Sequence, residues 1–301
     1  MIALLLRLLL VLQLLAVVTV STLIYQHFLP THPGWSVTFG VAIVVLIRLA
    51  ITANSFRLSR RYRSTRSANT RIKPGTAIRL FFTEFLSSML SSSWTMAFCA
   101  FSKRKVNNPV GLPVLLVHGY GCNSGYWHAM SKALSAARIS HHAVTLEPVF
   151  GSIDDYLPAL HQAIAELLDS STSNRLILIG HSMGGLVCRA YLRNFGSTSV
   201  AKVITIGSPH HGTALAKSGI GKNVQQMAMN VTCGNAESST WLRQLGESET
   251  AVTRALITSI YSHHDNIIAP QQSAHLDGAI NISLDAIGHV TLALHNKCNN
   301  T

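Results

Sequence analysis

The chain has 301 residues, of which 48% are hydrophobic and 12% charged, with a formal net charge of +12. So few charges among so many apolar residues is unusual for a wholly soluble protein and points to membrane contact. Residues 1–105 hold thirteen Lys/Arg against one acid, Glu84, whereas residues 106–301 hold eleven of each, so the neutral second part argues against nucleic acid as its ligand.

The first element is an apolar run over residues 2–29, long enough to span a bilayer core of about 20 residues, with Arg7 near one end, able to snorkel. A cleaved signal peptide is the competing reading, but the run is too long for a signal core and no clear small-x-small site follows. A turn-rich linker, residues 27–34, leads to a second apolar run from Ser36 to Thr52, short for a span and carrying Arg48. The simplest arrangement is a helical hairpin with both ends on one side. Residues 57–73 then hold seven Lys/Arg and no acid. By the positive-inside rule that segment and the domain after it are cytoplasmic, and the segment lies against anionic lipid heads. Residues 77–101 are apolar again, interrupted by Arg79 and Glu84. They suit an interfacial helix with Phe81, Phe82, Phe85, Leu86 and Leu90 on one face, or equally a helix packed on the following domain.

From residue 106 onward short apolar runs alternate with amphipathic stretches. Strands are predicted at Val114–Val117, Ala143–Leu146, Leu176–Ile179, Val203–Ile206, Leu256–Tyr261 and Ala279–Leu284. Helices are predicted over Ser124–Ala137, Ile153–Leu168 and Gly184–Asn194. Two-sided apolar strands between helices indicate a mostly parallel sheet covered on both faces. The five cysteines form no CxxC pair, so a zinc or redox motif is not expected. Cys233 and Cys298 could pair, with free thiols the plainer reading.

The chemistry concentrates where the strand at 176–179 meets Gly180-His181-Ser182-Met183-Gly184-Gly185 and then a helix. A G-x-S-x-G set between strand and helix is the setting of a nucleophile elbow, with the serine exposed above a helix N-terminus. A serine needs a base, and the base an orienter; this elbow resembles that of the α/β-hydrolases, in which the three follow in the chain order serine, acid, histidine. Asp265 follows a predicted strand closely. His289 ends the short loop Asp285-Ala286-Ile287-Gly288-His289, where Gly288 frees the backbone to swing the ring. His263 and His264 read as solvated loop residues and His295 as a surface one. The oxyanion donors expected are the N–H of Met183 and, from the Gly-rich turn His118-Gly119-Tyr120-Gly121, that of Tyr120. His118, upstream, shapes that loop.

With these pieces in view, residues 113–295 resemble a bacterial lipase or esterase of the α/β-hydrolase superfamily, most like the small Bacillus-type lipases. The likeness rests on VLLVHGYG (114–121), LILIGHSMGG (176–185), TIGSPHHGT (205–213), ITSIYSHHDNIIAP (257–270) and LDGAINISLDAIGHVTL (276–292). It implies an α/β-hydrolase fold and hydrolysis of a triacylglycerol or similar lipid ester, with no organic cofactor. The last two segments resemble that family's acid and histidine segments, which favours Asp265 and His289. The first 105 residues have no counterpart in the small lipases. Residues 214–250 are longer than the minimal fold needs; Met227, Met229, Trp241, Leu242 and Leu245 suit a lid or acyl pocket, or the packing of an inserted helix. No cluster of extra carboxylates suggests a metal.

The expected organisation is a transmembrane hairpin (1–56), a basic juxtamembrane segment with an interfacial helix (57–105) and an α/β-hydrolase domain (106–301), at a bacterial inner membrane. The triad alone leaves a membrane-lipid acyltransferase or thioesterase open, and a non-catalytic membrane-anchored binding protein stands as the non-enzymatic alternative.

Overall fold

The computed structural model describes residues 1–28, 30, 32–63, 70–232 and 235–294. Cys233, Cys298 and His295 lie outside the described residues. Two long helices come first, α1 (Ile2–His27) and α2 (Pro33–Arg61), both long and apolar enough to cross a membrane. Pro33 suits the start of α2, because its missing N–H would have no helical partner there. The helix runs on to Arg61, so Arg57, Arg60 and Arg61 are helical.

Helix α3 (Pro74–Leu90) leads through a π-helical turn, Ser91–Thr95, into the short α4 (Met96–Phe98). It packs along the hairpin: Phe81 meets Phe56 with ring centroids 6.0 Å apart. The Arg48 guanidinium donates to Ser92 Oγ at 3.0 Å and Gln13 Oε1 at 2.8 Å. Among the apolar helices that arrangement gives a lone cation partners in place of water.

The remaining elements are β1 (Lys103–Arg104), β2 (Val114–Val117), α5 (His128–Ala136), β3 (His141–Val144), α6 (Leu157–Asp169), β4 (Leu176–His181), α7 (Met183–Phe195) and β5 (Val200–Ile206). An insert follows, with α8 (Lys222–Gln226), the hairpin β6 (Met229–Thr232) and β7 (Asn235–Ser238), and α9 (Thr240–Ser248). The chain closes with α10 (Ala251–Ala255), β8 (Ile257–Ser262), β9 (Ile280–Leu284) and α11 (His289–Leu292). The seven-stranded sheet has the order β1-β3-β2-β4-β5-β8-β9 and is parallel except for the edge strand β1.

Both faces are covered. Leu115, Val117 and Leu178 pack beneath α6 and α7 through Leu160, Ile164, Leu186 and Val187, while Leu116, Ile179 and Ile260 face Trp127, Met130 and Leu292. This explains the short two-sided apolar runs in the sequence. The predicted strand at 143–146 instead begins at His141. Its ring satisfies both nitrogens, toward Ser131 Oγ at 2.7 Å and the Ile139 carbonyl at 2.9 Å, so a polar residue sits buried in a strand without cost to hydrogen bonding. Strand order reverses between β2 and β4, whose following connections leave toward opposite sides of the sheet. The carboxyl ends of two such strands are where open parallel sheets form their ligand crevice.

Candidate active site

Ser182 lies at that crevice, between β4 and the first residue of α7. Its backbone is held at φ 54° and ψ −124°, a conformation a side chain seldom adopts, and its N–H donates to the Ile206 carbonyl at 2.9 Å. The turn closes because its glycines carry no side chain. A Cβ at Gly180 would stand 2.6 Å from Gly184 backbone atoms, and one at Gly184 would meet the Val117 and His118 carbonyls. The turn after β2 comes equally close, since a Cβ at Gly119 would lie 2.9 Å from Ser182 Cβ. Tyr120, the next residue, is half-buried against the core, and its hydroxyl donates to the Ile220 carbonyl at 2.9 Å. Met183, buried, is the first residue of α7. His118 clips the β2 turn to the end of β3. Its Nδ1 bonds the Gly119 carbonyl at 2.8 Å and Nε2 accepts from Leu146 N–H at 3.0 Å; burial holds it near a pKa of about 4, neutral and fit for that mixed role.

Asp265 and His289 follow β8 and β9 and meet at 2.8 Å, Oδ2 to Nδ1, both buried. The other Asp265 oxygen accepts the Ile267 and Ile268 N–H groups, each at 2.7 Å, which fixes the carboxylate plane. The pair stands above Gly207, the residue after Ile206: a Cβ there would lie 3.4 Å from both Asp265 Oδ2 and His289 Nδ1. Ser182, Asp265 and His289 thus gather at the carboxyl edge of β4, β5, β8 and β9, with Gly119 on the far side of the serine. Burial opposes charge on His289, but the Asp265 charge and hydrogen bond, joined by the charge of Glu84, hold its pKa above the ordinary histidine value.

Two neighbours of the His289 turn escaped the sequence reading. His181, immediately before the serine, packs its ring against that of His289 with centroids 4.7 Å apart, and its Nε2 lies 3.1 Å from the His289 carbonyl oxygen. A carbonyl accepts, so Nε2 carries the proton. Burial and the nearby His289 keep His181 neutral. Glu84, on α3, is the second. It is buried, and its carboxylate accepts Val290 N–H at 2.9 Å, Thr291 N–H at 3.0 Å and the Thr291 hydroxyl at 2.8 Å. The detectable signal was its isolation as the single acid among residues 1–105. Gly288 is therefore not a swivel: its φ is −84°, open to any residue, and it is glycine because a Cβ would run into the Glu84 carboxyl group.

His264 is not a solvated loop residue either. Its Nε2 lies 2.9 Å from the Thr70 carbonyl and its Nδ1 accepts Ala286 N–H at 3.2 Å. Of the insert residues, Met227, Met229, Leu242 and Leu245 are buried; Met227, Leu242 and Leu245 belong to the same core as Leu186 and Val187, with Trp241 packed against it. Trp241 donates its indole N–H to Asp154 at 2.7 Å. The insert is packed in this way because its amphipathic helix α9 closes over α7. A cavity of about 590 Å³ opens instead behind Asp265, walled by Phe56, Arg57, Arg60, Arg63, Arg71 and Phe81. Among the described residues no group of His, Cys, Asp or Glu could hold a metal ion.

The architecture is that of the α/β-hydrolases. A mature Bacillus licheniformis lipase superposes on 65% of this chain and 93% of its own, with a TM-score of 0.54 and 17% identity, a likeness of fold. In sequence, a pimeloyl-[acyl-carrier protein] methyl ester esterase of Vibrio cholerae is 32% identical over 98 residues, which is 33% of this chain and 37% of that protein. A triacylglycerol lipase of Pseudarthrobacter phenanthrenivorans is 32% identical over 113 residues, 35% of each. The chain thus spans roughly a third of the length of these curated relatives. Residues 113–263, half of the chain, match the palmitoyl protein thioesterase family. That stretch runs from β2 through the elbow to the end of β8, and the chain belongs to the palmitoyl protein thioesterase family.

Proposed function

We propose that the protein is a serine-dependent carboxylic-ester hydrolase, a lipase or esterase acting on lipid esters at a membrane. The observation that carries this reading is the strained Ser182 at the elbow beside the buried Asp265–His289 pair. His289 takes the Ser182 hydroxyl proton as Oγ attacks the ester carbonyl. Asp265 keeps the proton on Nδ1, leaving Nε2 as the base, and supports the imidazolium that forms. The N–H groups of Met183 and Tyr120 are the oxyanion donors in this reading, since Met183 opens α7 directly after the serine and Tyr120 follows Gly119, whose backbone approaches Ser182 closely. The imidazolium returns its proton to the leaving alcohol, and water, deprotonated by His289, then frees the acid from the acyl-enzyme.

The names of the sequence relatives, a triacylglycerol lipase and a methyl ester esterase, favour oxygen esters. A second reading, hydrolysis of acyl thioesters on the same residues, is favoured by the family match. Ser182→Ala should abolish turnover of both a p-nitrophenyl ester and an acyl thioester while leaving the far-ultraviolet spectrum unchanged. Retained turnover would remove Ser182 as nucleophile, and the ratio of the two wild-type rates decides between the readings. Labelling by a fluorophosphonate separates either from a non-catalytic binding protein, and product analysis with added alcohol separates hydrolysis from acyl transfer.

The same proposal includes the setting: α1 and α2 as a transmembrane hairpin in a bacterial inner membrane, residues 57–105 as a juxtamembrane segment and the hydrolase domain on the cytoplasmic side. The seven cations of residues 57–73 support that side. Both open ends of the hairpin meet the hydrolase domain, which supports one side for both. The Met1 amine pairs with Glu147 at 2.7 Å, and Ser59 Oγ donates to the Asp265 carbonyl at 2.8 Å.

A further inference from the structure

Helix α11 begins at His289, and its N-terminus is completed by residues far away in the chain. The first amides of a helix have no internal partner, and a side chain at the N-cap ordinarily takes one of them. Here the N-cap is Gly288, which has none to offer. His289 N–H donates to Asn266 Oδ1 at 2.9 Å, while Val290 and Thr291 N–H donate to the two oxygens of Glu84. Asn266 in turn donates to Ser55 Oγ of α2 at 2.9 Å. The backbone that presents the histidine is therefore gripped from α2 and α3, outside the hydrolase fold.

Helix α3, with the π-helical turn and α4 that continue it, has a second face. Ile78, Phe82, Leu86, Leu90, Trp94 and Phe98 follow one another at intervals of four residues and are each 49–62% exposed. Four residues overshoot an α-helical turn by about 40°, so such a row would wind around a straight helix. The wider π-helical turn at Ser91–Thr95 takes back part of that drift and keeps the row together. Helices α1 and α2, the second of which packs against α3, expose apolar residues of their own such as Leu8, Leu12, Ile47 and Ile51, so the fitting partner of the row is the acyl region of a lipid bilayer. Buried Leu80 and Glu84 occupy the other side.

We propose that Glu84 is a positioning residue for His289, through which the lipid-facing helix α3 fixes the catalytic turn. It acts through the amides of Val290 and Thr291 and through its charge, without touching substrate. The proposal rests on Ser182 and His289 being nucleophile and base. The groups facing His289 are Asp265, Glu84 and the neutral His181.

The test uses the full chain in bilayer nanodiscs, with a short-chain p-nitrophenyl ester that needs no lipid interface. Fluorophosphonate labelling of the wild type at Ser182 comes first; its failure would defeat the catalytic reading, separately from the role of Glu84. In a labelled protein Glu84→Gln is expected to lower kcat about tenfold or more, with KM nearly unchanged, and to shift the acid limb of kcat/KM to lower pH. Thr291→Val removes one donor and leaves the charge in place; it should lower kcat less and leave that limb near the wild-type position. Paired substitutions of Leu86 and Leu90 to Ser should remove much of the gain in kcat that nanodiscs give over monomeric detergent. A folded Glu84→Gln protein with wild-type kcat and pH profile overturns the proposal. Should that variant not fold, unchanged kcat in Thr291→Val overturns it instead. Full nanodisc stimulation in the Leu86/Leu90 variant overturns the link to lipid.

Discussion

The Nε2–H of His181 is directed at the carbonyl oxygen of His289, 3.1 Å away, so the residue before the nucleophile holds the backbone of the proposed base. Tyr126 completes this contact: its hydroxyl lies 3.1 Å from the same nitrogen and donates to the Val290 carbonyl at 3.0 Å. His181→Phe keeps an aromatic ring against His289 but leaves a buried carbonyl short of a donor, a loss of about 1–3 kcal/mol. The expected result is a lower Tm and a lower kcat with KM held. A variant with unchanged kcat would reduce His181 to packing.

The raised pKa of His289 sets the direction of the pH profile. The base must be neutral to take the serine proton, so kcat/KM should rise with pH through a value above 6.5. For stability the sign is opposite. A histidine whose folded value is raised contributes below its unfolded value, and that contribution is lost as pH rises through the folded value. Asp265→Asn should move the acid limb down and lower kcat by about three to four orders of magnitude, through the wrong tautomer. An acid limb below 6.5 in the wild type would contradict the electrostatics described here.

Much of this site was legible in the sequence for local reasons. An elbow needs glycines at fixed distances from its serine, and Gly180 and Gly184 are packed so tightly against backbone that their spacing signals the turn by itself. Strands β2 and β4 announced themselves because both faces are buried. The hairpin of β6 and β7 did not, since Asn235–Ser238 is polar and largely exposed. Glu84 was hidden for a different reason. Its partners lie 206 and 207 residues away, and a contact of that range leaves no periodicity to read.

Arg189 and Glu249 form a bidentate pair at 2.7 and 2.8 Å, with both side chains 1% exposed. It joins α7, which carries the elbow, to the end of the insert. Glu249→Gln leaves the Arg189 charge in the interior and should destabilise by about 3–5 kcal/mol, whereas Arg189→Met leaves Glu249 the Arg254 guanidinium at 3.2 Å and should cost less. Replacing both by apolar residues of similar size should recover much of that loss. Denaturant unfolding of the detergent-solubilised chain checks it, and additive single and double effects would show that the two charges act independently.

The arginines behind Asp265 make the last prediction. Arg57, Arg60, Arg63 and Arg71 wall a cavity of about 590 Å³ together with Phe56 and Phe81, at the end of α2 that follows its apolar span. Arg63 is braced on Thr70, through its carbonyl and hydroxyl. Guanidinium groups beside apolar rings suit the phosphate and upper acyl chain of an anionic phospholipid. Each such cation near an anionic surface contributes about 1 kcal/mol, screened over about 8 Å at physiological salt. The doubly substituted Arg60→Ala, Arg71→Ala protein should therefore retain less phosphatidylglycerol than the wild type in native mass spectrometry, while phosphatidylcholine retention is unchanged. Loss of the same two charges at Lys103 and Arg104, on the sheet edge, is the control for bulk attraction. Equal losses in the two variants would mean that net charge, and not this cavity, selects the lipid. A specific loss at Arg60 and Arg71 would put an anionic lipid against the loop that holds Asp265, where Gln271 and Ser59 already bind the Asp265 carbonyl.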